Sequence, residues 1–275
     1  GCQNKAEKTA PLKMVMAVGL AMGIHAGYEI FVKGVVFSWQ VMWTYLPISA
    51  LYIVSMAIGY LGLRYIELSI SSPICNTSGA LVVIFYLFMG EKPSGFVLLG
   101  VTFTLFGILG LGISEYTEDE VARAERQKSA NIKYNKSVIA IAIPIIYSLI
   151  DALGTFGDSL VLERLDEAQA NVAYELTFFF SGLIIFIILL IRREFSVTKS
   201  DGSKMIASLF ETGGQLAYIY AISANVVSAA PIISCYCLLT VVWGRIFLKE
   251  KLTWKHYLSI IFAIIGILIL AIFDQ

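Results

Sequence analysis

Six charged side chains sit inside long apolar runs: Glu29, Asp151, Asp158, Glu175, Glu211 and Arg245. A charge at mid-membrane costs about 3 kcal/mol on insertion scales, so such a residue faces a partner or a wet cavity. Helical spacing groups them. Ser148, Asp151, Thr155 and Asp158 are three or four apart and share one face. Glu211, Gln215 and Tyr218 do likewise, and His25 lies one turn before Glu29. Asp151 falls near the middle of its run, while Asp158 and Lys33 fall at run ends, where long side chains reach water cheaply. Carboxylates beside hydroxyl, amide and imidazole groups can bind a cation or take up a proton. The residues expected to line a polar cavity are Asp151, Glu211, Glu29, His25, Gln215, Tyr218, Asn76, Ser148, Thr155 and Trp43. For Asn76 and Thr155 the competing reading is hydrogen-bonded contact between helices. Trp43, with Tyr218 and Tyr236, reads as an aromatic wall for an organic molecule or as part of an interfacial belt.

The elements that position these groups follow from composition. Hydrophobic residues make up 58% of the 275 positions and charged residues 15%. Soluble domains run near 45–50% and about 25%, so the bilayer is the expected solvent. About 20 apolar residues cross the hydrocarbon as a helix, and backbone groups in lipid must pair internally. Nine runs fit: 12–33, 42–63, 69–90, 95–114, 137–158, 170–191, 203–223, 226–248 and 255–273. The fold class is an all-α polytopic membrane protein. Net charge is zero, which gives no reason to expect nucleic acid. Four cysteines without a CxxC pair and two histidines without a Cys/His cluster imply no structural metal. No GxxxxGK[ST], HExxH or Gly-x-Ser-x-Gly motif occurs, so neither an ATP-driven pump nor an intramembrane protease is expected, nor any cofactor.

A second pattern is duplication. RYIELSISSPI (64–74) has an echo in YAISANVVSAAPI (220–232), about 158 positions later. Pro73 and Pro231 are expected near the starts of the helices that follow. Downstream, MGEKPSG matches LKEKLTW, so Glu91 pairs with Glu250, both read as caps or loop contacts. Phe103 and Gly107 pair with Phe262 and Gly266, and GIL recurs. Residues 23–33 weakly resemble 148–158. Internal repeats of this kind mark secondary transporters. On these residues the chain resembles the EamA-like members of the drug/metabolite transporter superfamily, over 42–114 and 203–273. The resemblance implies ten helices in two inverted five-helix repeats, a central cavity, and amino acids, metabolites or drugs as solutes. The expected organisation is a first repeat at 1–114, apparently one helix short, a charged linker at 115–136 and a second repeat at 137–275. The chain begins Gly-Cys, without Met, which fits a missing helix upstream, whereas the likeness of 23–33 to 148–158 makes the first run the counterpart of the family's first helix; both readings stay open.

The implied function is gradient-driven transport of small organic solutes at the plasma membrane. A small-molecule solute and lipid are its partners, protons or Na+ are candidate coupling ions, and a homodimer is a candidate assembly. The alternative is a non-transporting scaffold or receptor. The linker reads as an amphiphilic or flexible connector. The N-terminus and alternate loops carry 16 Lys/Arg against 3 in the others, which puts the linker in the cytoplasm and the C-terminus outside. The resemblance implies instead that both ends are cytoplasmic. In intact cells, a cysteine at position 128 is expected to resist a membrane-impermeant thiol reagent that labels one at 274. Labelling at 128 reverses the orientation.

Overall fold

The computed structural model describes residues 7–90, 92–134, 138–162, 164–224 and 236–273. Among these the secondary structure is helical, without a strand. The helices are α1 (Ala10–Phe31), α2 (Trp39–Gly62), α3 (Leu68–Cys75), α4 (Ser78–Phe88), α5 (Gly95–Thr117), α6 (Glu120–Arg126), α7 (Val138–Leu162), α8 (Glu167–Ile191), α9 (Lys199–Ala224), α10 (Tyr236–Trp243) and α11 (Trp254–Phe273). Seven segments have the length and apolarity of a span: α1, α2, α3 and α4 taken together, α5, Ala140–Asp158 of α7, α8 and α11. The expected count of nine is therefore not reached among the described residues. The seventh run forms α9, 26 residues long but more polar, with Lys204 and Glu211 in it. The eighth run lies partly outside the described residues. Its described part is α10, continued by a π-helical turn at Gly244–Leu248.

Helix ends follow local chemistry. Pro11 stands in the first turn of α1, where its missing N–H costs nothing. Ser94, Asp119 and Asp166 cap α5, α6 and α8, each accepting from a backbone N–H two or three residues on. Glu250 caps α3 from a distant part of the chain. Its carboxylate accepts from the backbone N–H groups of Leu68 and Ser69, at 3.1 and 3.0 Å, and from the Ser69 hydroxyl at 2.6 Å. Pro73 is not in the first turn as expected but well inside α3. A proline there deprives an earlier carbonyl of its donor, and α3 stops two residues later. Pro231 and Glu91 lie outside the described residues.

The chain divides into two compact units. Unit 1 is Gly1–Tyr60 with Leu153–Ile219, and unit 2 is Leu61–Ala152 with Tyr220–Gln275. In unit 1, α1 packs most extensively on α8. Gly19 lies against the Phe178 carbonyl, and Gly182 against the Met16 backbone, so any larger residue would push the helices apart. Met14, Val18, Met22 and Phe178 fill this contact. In unit 2 the corresponding pair is α5 and α11, where Gly107 meets Ala263 and Gly266 meets Thr104. Phe96 stacks on Phe273 and Phe103 on Phe262, so the two helices run antiparallel. A cluster including Ile66, Ile70, Ile74, Leu111, Cys237 and Ile264 forms the core of unit 2. Leu, Ile and Phe side chains across α1, α5, α8 and α11 remain exposed, as a lipid solvent requires.

One spacing recurs. Left-handed backbone follows α1 at Gly34 (φ 75°) and α8 at Arg193 (φ 54°), and 193 minus 34 is 159. Gly90 (φ 93°) after α4 and Lys249 (φ 56°) after α10 stand the same 159 apart. So do Gly107 and Gly266, and Thr104 and Ala263, which touch crosswise. The start of α5 and the start of α11 repeat at this distance as well. These landmarks align α1 with α8, whereas the weak sequence likeness of 23–33 to 148–158 aligned it with α7. Within the described residues α7 has no counterpart at this spacing.

Gly107→Val is expected to lower stability by about 1–3 kcal/mol by overpacking the α5–α11 crossing. Gly112→Val, with open space beside it, should cost far less. Thermal unfolding in detergent distinguishes the two.

Candidate functional site

In unit 1, α2 presents a row of tyrosines, Tyr45, Tyr52 and Tyr60, seven and eight residues apart and so on one face. Each reaches a carboxylate. The Tyr45 hydroxyl donates to Asp158 Oδ1 at 2.5 Å, and Tyr52 lies 3.5 Å from Asp158 Oδ2 and 3.3 Å from the Thr155 hydroxyl. Tyr60 donates to Glu211, 2.8 and 2.6 Å from its two oxygens. Small residues on α7 permit the approach: a Cβ at Gly154 would stand 3.2 Å from the Tyr52 ring, and one at Gly157 would stand 3.4 Å from Ile48. Tyr174 of α8 meets Tyr52 edge-on, with centroids 5.8 Å apart. Asp158 is thus not a run-end residue reaching for water, as its position suggested. Two phenols hold it among packed aromatics.

The second cluster joins α1 to α8. His25 Nδ1 lies 2.8 and 2.9 Å from the two oxygens of Glu175, and Nε2 lies 3.2 Å from Glu29 Oε1. Lys33 pairs with Glu29 at 2.8 Å, and Asn171 reaches Glu175 at 3.4 Å. Glu175 is buried, at 1% exposure. In unit 2 the Ser148 and Thr77 hydroxyls are 2.9 Å apart, and the Asn76 amide donates to the Ser72 carbonyl at 3.2 Å. Asp151 lies within electrostatic reach of Cys75 and Tyr236.

The structure therefore joins His25 with Glu29, and sets Thr155 beside Asp158. Glu211 belongs to unit 1, and Asp151, Ser148 and Asn76 to unit 2. Trp43 is exposed, at 66%. The side chains of Gln215 and Tyr218 lie outside the described residues. Sequence reasoning passed over Tyr45, Tyr52 and Tyr60, although their heptad-like recurrence in an apolar run was a visible signal. It noted Glu175 only as an intrusion, because its partner is 150 residues away.

Two further charged clusters lie at helix ends. In unit 1, Glu7 bonds Lys13 and Lys204 at 2.6 and 2.9 Å, Asp201 bonds Lys204 at 2.7 Å, and Lys13 donates to the Ser196 carbonyl. Burial opposes ionisation of Glu7, but the two lysines and Ser200 outweigh it and hold its pKa down to about 2. In unit 2, Arg126 bonds Glu67 and Glu118 at 2.9 Å, Glu115 at 3.3 Å and the Lys251 carbonyl at 2.9 Å. Arg123 bonds Glu115, and Gln127 bonds Glu67. Arg123 and Arg126 are buried, so the amphiphilic reading of the connector fits α6 and the flexible one does not. Glu115, Glu118 and His256 are close enough to share a metal ion. Their oxygens are already engaged by two guanidinium groups, so the donor set is spoken for.

Helices long and apolar enough to span, with outer faces that suit lipid, define a polytopic membrane protein. Residues 138–272 match the model of the EamA-like transporter family. The match runs from α7 through α11, just under half of the chain, and supports an EamA-like transporter of the drug/metabolite transporter superfamily, a family of small-solute transporters. A comparison with curated proteins finds no match.

Arg126→Ala is expected to destabilise by about 3–5 kcal/mol, because three buried carboxylates lose a shared cation. Lys128→Ala, on the exposed side of the same segment, should stay near wild type in the same thermal unfolding assay.

Proposed function

We propose that the chain is a secondary transporter that carries a small cationic or zwitterionic organic solute across the plasma membrane. The carrying observation is the kind of partner that Asp158 and Glu211 have. Among the described residues these partners are the phenols Tyr45, Tyr52 and Tyr60, not lysine or arginine. A phenol satisfies hydrogen bonds but cancels no charge. A carboxylate so placed in low dielectric takes up a proton or is completed by a cation, and an arriving ammonium group can replace the proton. Aromatic rings beside it suit an ammonium group, which gains from their electron-rich faces.

Alternating access of two inverted repeats is the mechanism this reading adopts. The 159-residue recurrence supports it, as does the antiparallel crossing of α5 with its counterpart α11. Glycine-lined crossings let helices slide, which such motion needs. Energy comes from an ion gradient or from the solute's own. Asp151 and Asn76 of unit 2, with Trp43, Gln215 and Tyr218, remain candidates for contact with the solute.

The test begins with a thermal-shift screen of amines and amino acids on purified protein, followed by flux of the hits in proteoliposomes. Asp158→Asn and Glu211→Gln are expected to cut flux at least tenfold while leaving the unfolding temperature near wild type. Asp151→Asn is expected to do the same. Absence of flux for every binding solute supports the scaffold or receptor reading instead.

A further inference from the structure

We infer that unit 2 carries a binding site for one anionic phospholipid, with an acyl chain in a groove between α5 and α11 and the phosphate beside Lys255. The groove encloses about 490 Å³, within the range of small-ligand sites. Thr102, Phe103 and Phe106 of α5 form one wall, and Leu258, Ser259 and Phe262 of α11 form the other. Gly110 completes the lining, and a Cβ there would collide with the Ser259 hydroxyl. The Phe103 and Phe262 rings stack with centroids 5.7 Å apart. Both hydroxyls are spent on their own helices. Thr102 donates to the Leu98 carbonyl at 2.8 Å, and Ser259 to the Lys255 carbonyl at 2.9 Å. What the walls offer a visitor is hydrocarbon. A concave apolar surface fronting lipid gains dispersion contacts when an apolar chain lies in it, and an acyl chain bends to the shape offered.

Charge at one end selects the lipid. The helices run antiparallel, so the end of α5 meets the start of α11, where His256 lies 3.0 Å from Glu115. Lys255 precedes Ser259 by four residues and Phe262 by seven, so it continues the stripe that lines the groove. Lys255 is exposed, as are Lys249 and Lys251 ahead of it. Among the described residues none of the three has an ion pair. The acids at this end are committed elsewhere: Glu67, Glu115 and Glu118 to Arg126, Glu250 to the start of α3, and Asp119 to the start of α6. Glu120 is exposed, one acid against three lysines.

The surroundings suit a headgroup. Trp254, 70% exposed, stands next to Lys255, and indole rings favour the headgroup level. The lysine and arginine bias of the loops assigns this end to the cytoplasm, whose leaflet carries the anionic lipid. A zwitterionic headgroup cancels its own phosphate charge, whereas an anionic one leaves that charge for Lys255.

In native mass spectrometry from detergent, the full chain is expected to retain phosphatidylglycerol more strongly than phosphatidylcholine with the same acyl chains. Lys255→Gln should weaken phosphatidylglycerol retention about fivefold and leave phosphatidylcholine unchanged. Thr102→Trp puts a ring into the groove from a residue already exposed and should weaken both lipids. Leu258→Trp does the same from the other wall. Unfolding temperatures near wild type report that the variants fold. Equal retention of the two lipids by the wild type overturns the anionic site. So does retention that survives both folded tryptophan variants, which marks the general lipid annulus. A wild-type dimer that these variants split makes the groove a contact between copies, and the lipid site falls.

Discussion

Within hydrocarbon a carboxylate has no water to solvate it, so the protein must supply every partner. Much of this structure can be understood as the arrangement of those partners. Where the task is to hold helices together, the partners are cations. Lys13 and Lys204 enclose Glu7 and Asp201 in unit 1, and Arg123 and Arg126 enclose Glu67, Glu115 and Glu118 in unit 2. These clusters sit at helix ends and join segments far apart in sequence. Unit 2 uses its cluster to fix α6, the end of α5 and the segment before α11 to the start of α3. Glu250 adds a second hold there, since it caps α3 through three hydrogen bonds.

Close packing is the other requirement. Lipid tails are as apolar as leucine, so helices in a membrane gain little by hiding hydrophobic faces from them. Association then depends on backbone proximity. Gly19 and Gly182 in unit 1, and Gly107 and Gly266 in unit 2, provide it at the two most extensive helix contacts. Both crossings are made by elements 159 positions apart, and the left-handed residues that end α1, α4, α8 and α10 keep the same spacing. Glycine adopts this backbone freely in the first half, while Arg193 and Lys249 adopt it in the second at a cost of about 1–2 kcal/mol. That the conformation persists where glycine does not suggests a requirement of the path, not of the residue.

Much of this was legible in the sequence. Apolar length announced α1, α2, α5, α7, α8 and α11, because membrane thickness sets helix length directly. The pairing of Phe103 and Gly107 with Phe262 and Gly266 was visible because those residues make the α5–α11 contact themselves. The equivalence of α1 with α8 was not, since it rests on Gly34 and Arg193, whose shared feature is a dihedral angle and not a residue type. The break in the third run was missed: Asn76 and Thr77 separate α3 from α4, and hydropathy passes over two small polar residues. Among site residues, spacing along one helix found His25 with Glu29 and Thr155 with Asp158. Spacing cannot find partners on another helix, so Glu175 and the three tyrosines escaped.

On the proposed reading, the contrast between partners separates structural charges from those left for a solute. Arg126 beside Glu118 leaves nothing for a visitor to neutralise, and a mobile cation gains little there. Tyr60 beside Glu211 satisfies the oxygens' geometry and brings no cation. The same holds for Asp158, with Tyr45 and Tyr52. Burial alone would rank Glu115, at 5% exposure, above Glu211 as a site, and acidic clustering would favour Glu115 and Glu118 with His256. Both criteria select the groups whose needs are already met. Charge left over after all partners are counted is the better guide, because a solute site must be incomplete until its solute arrives.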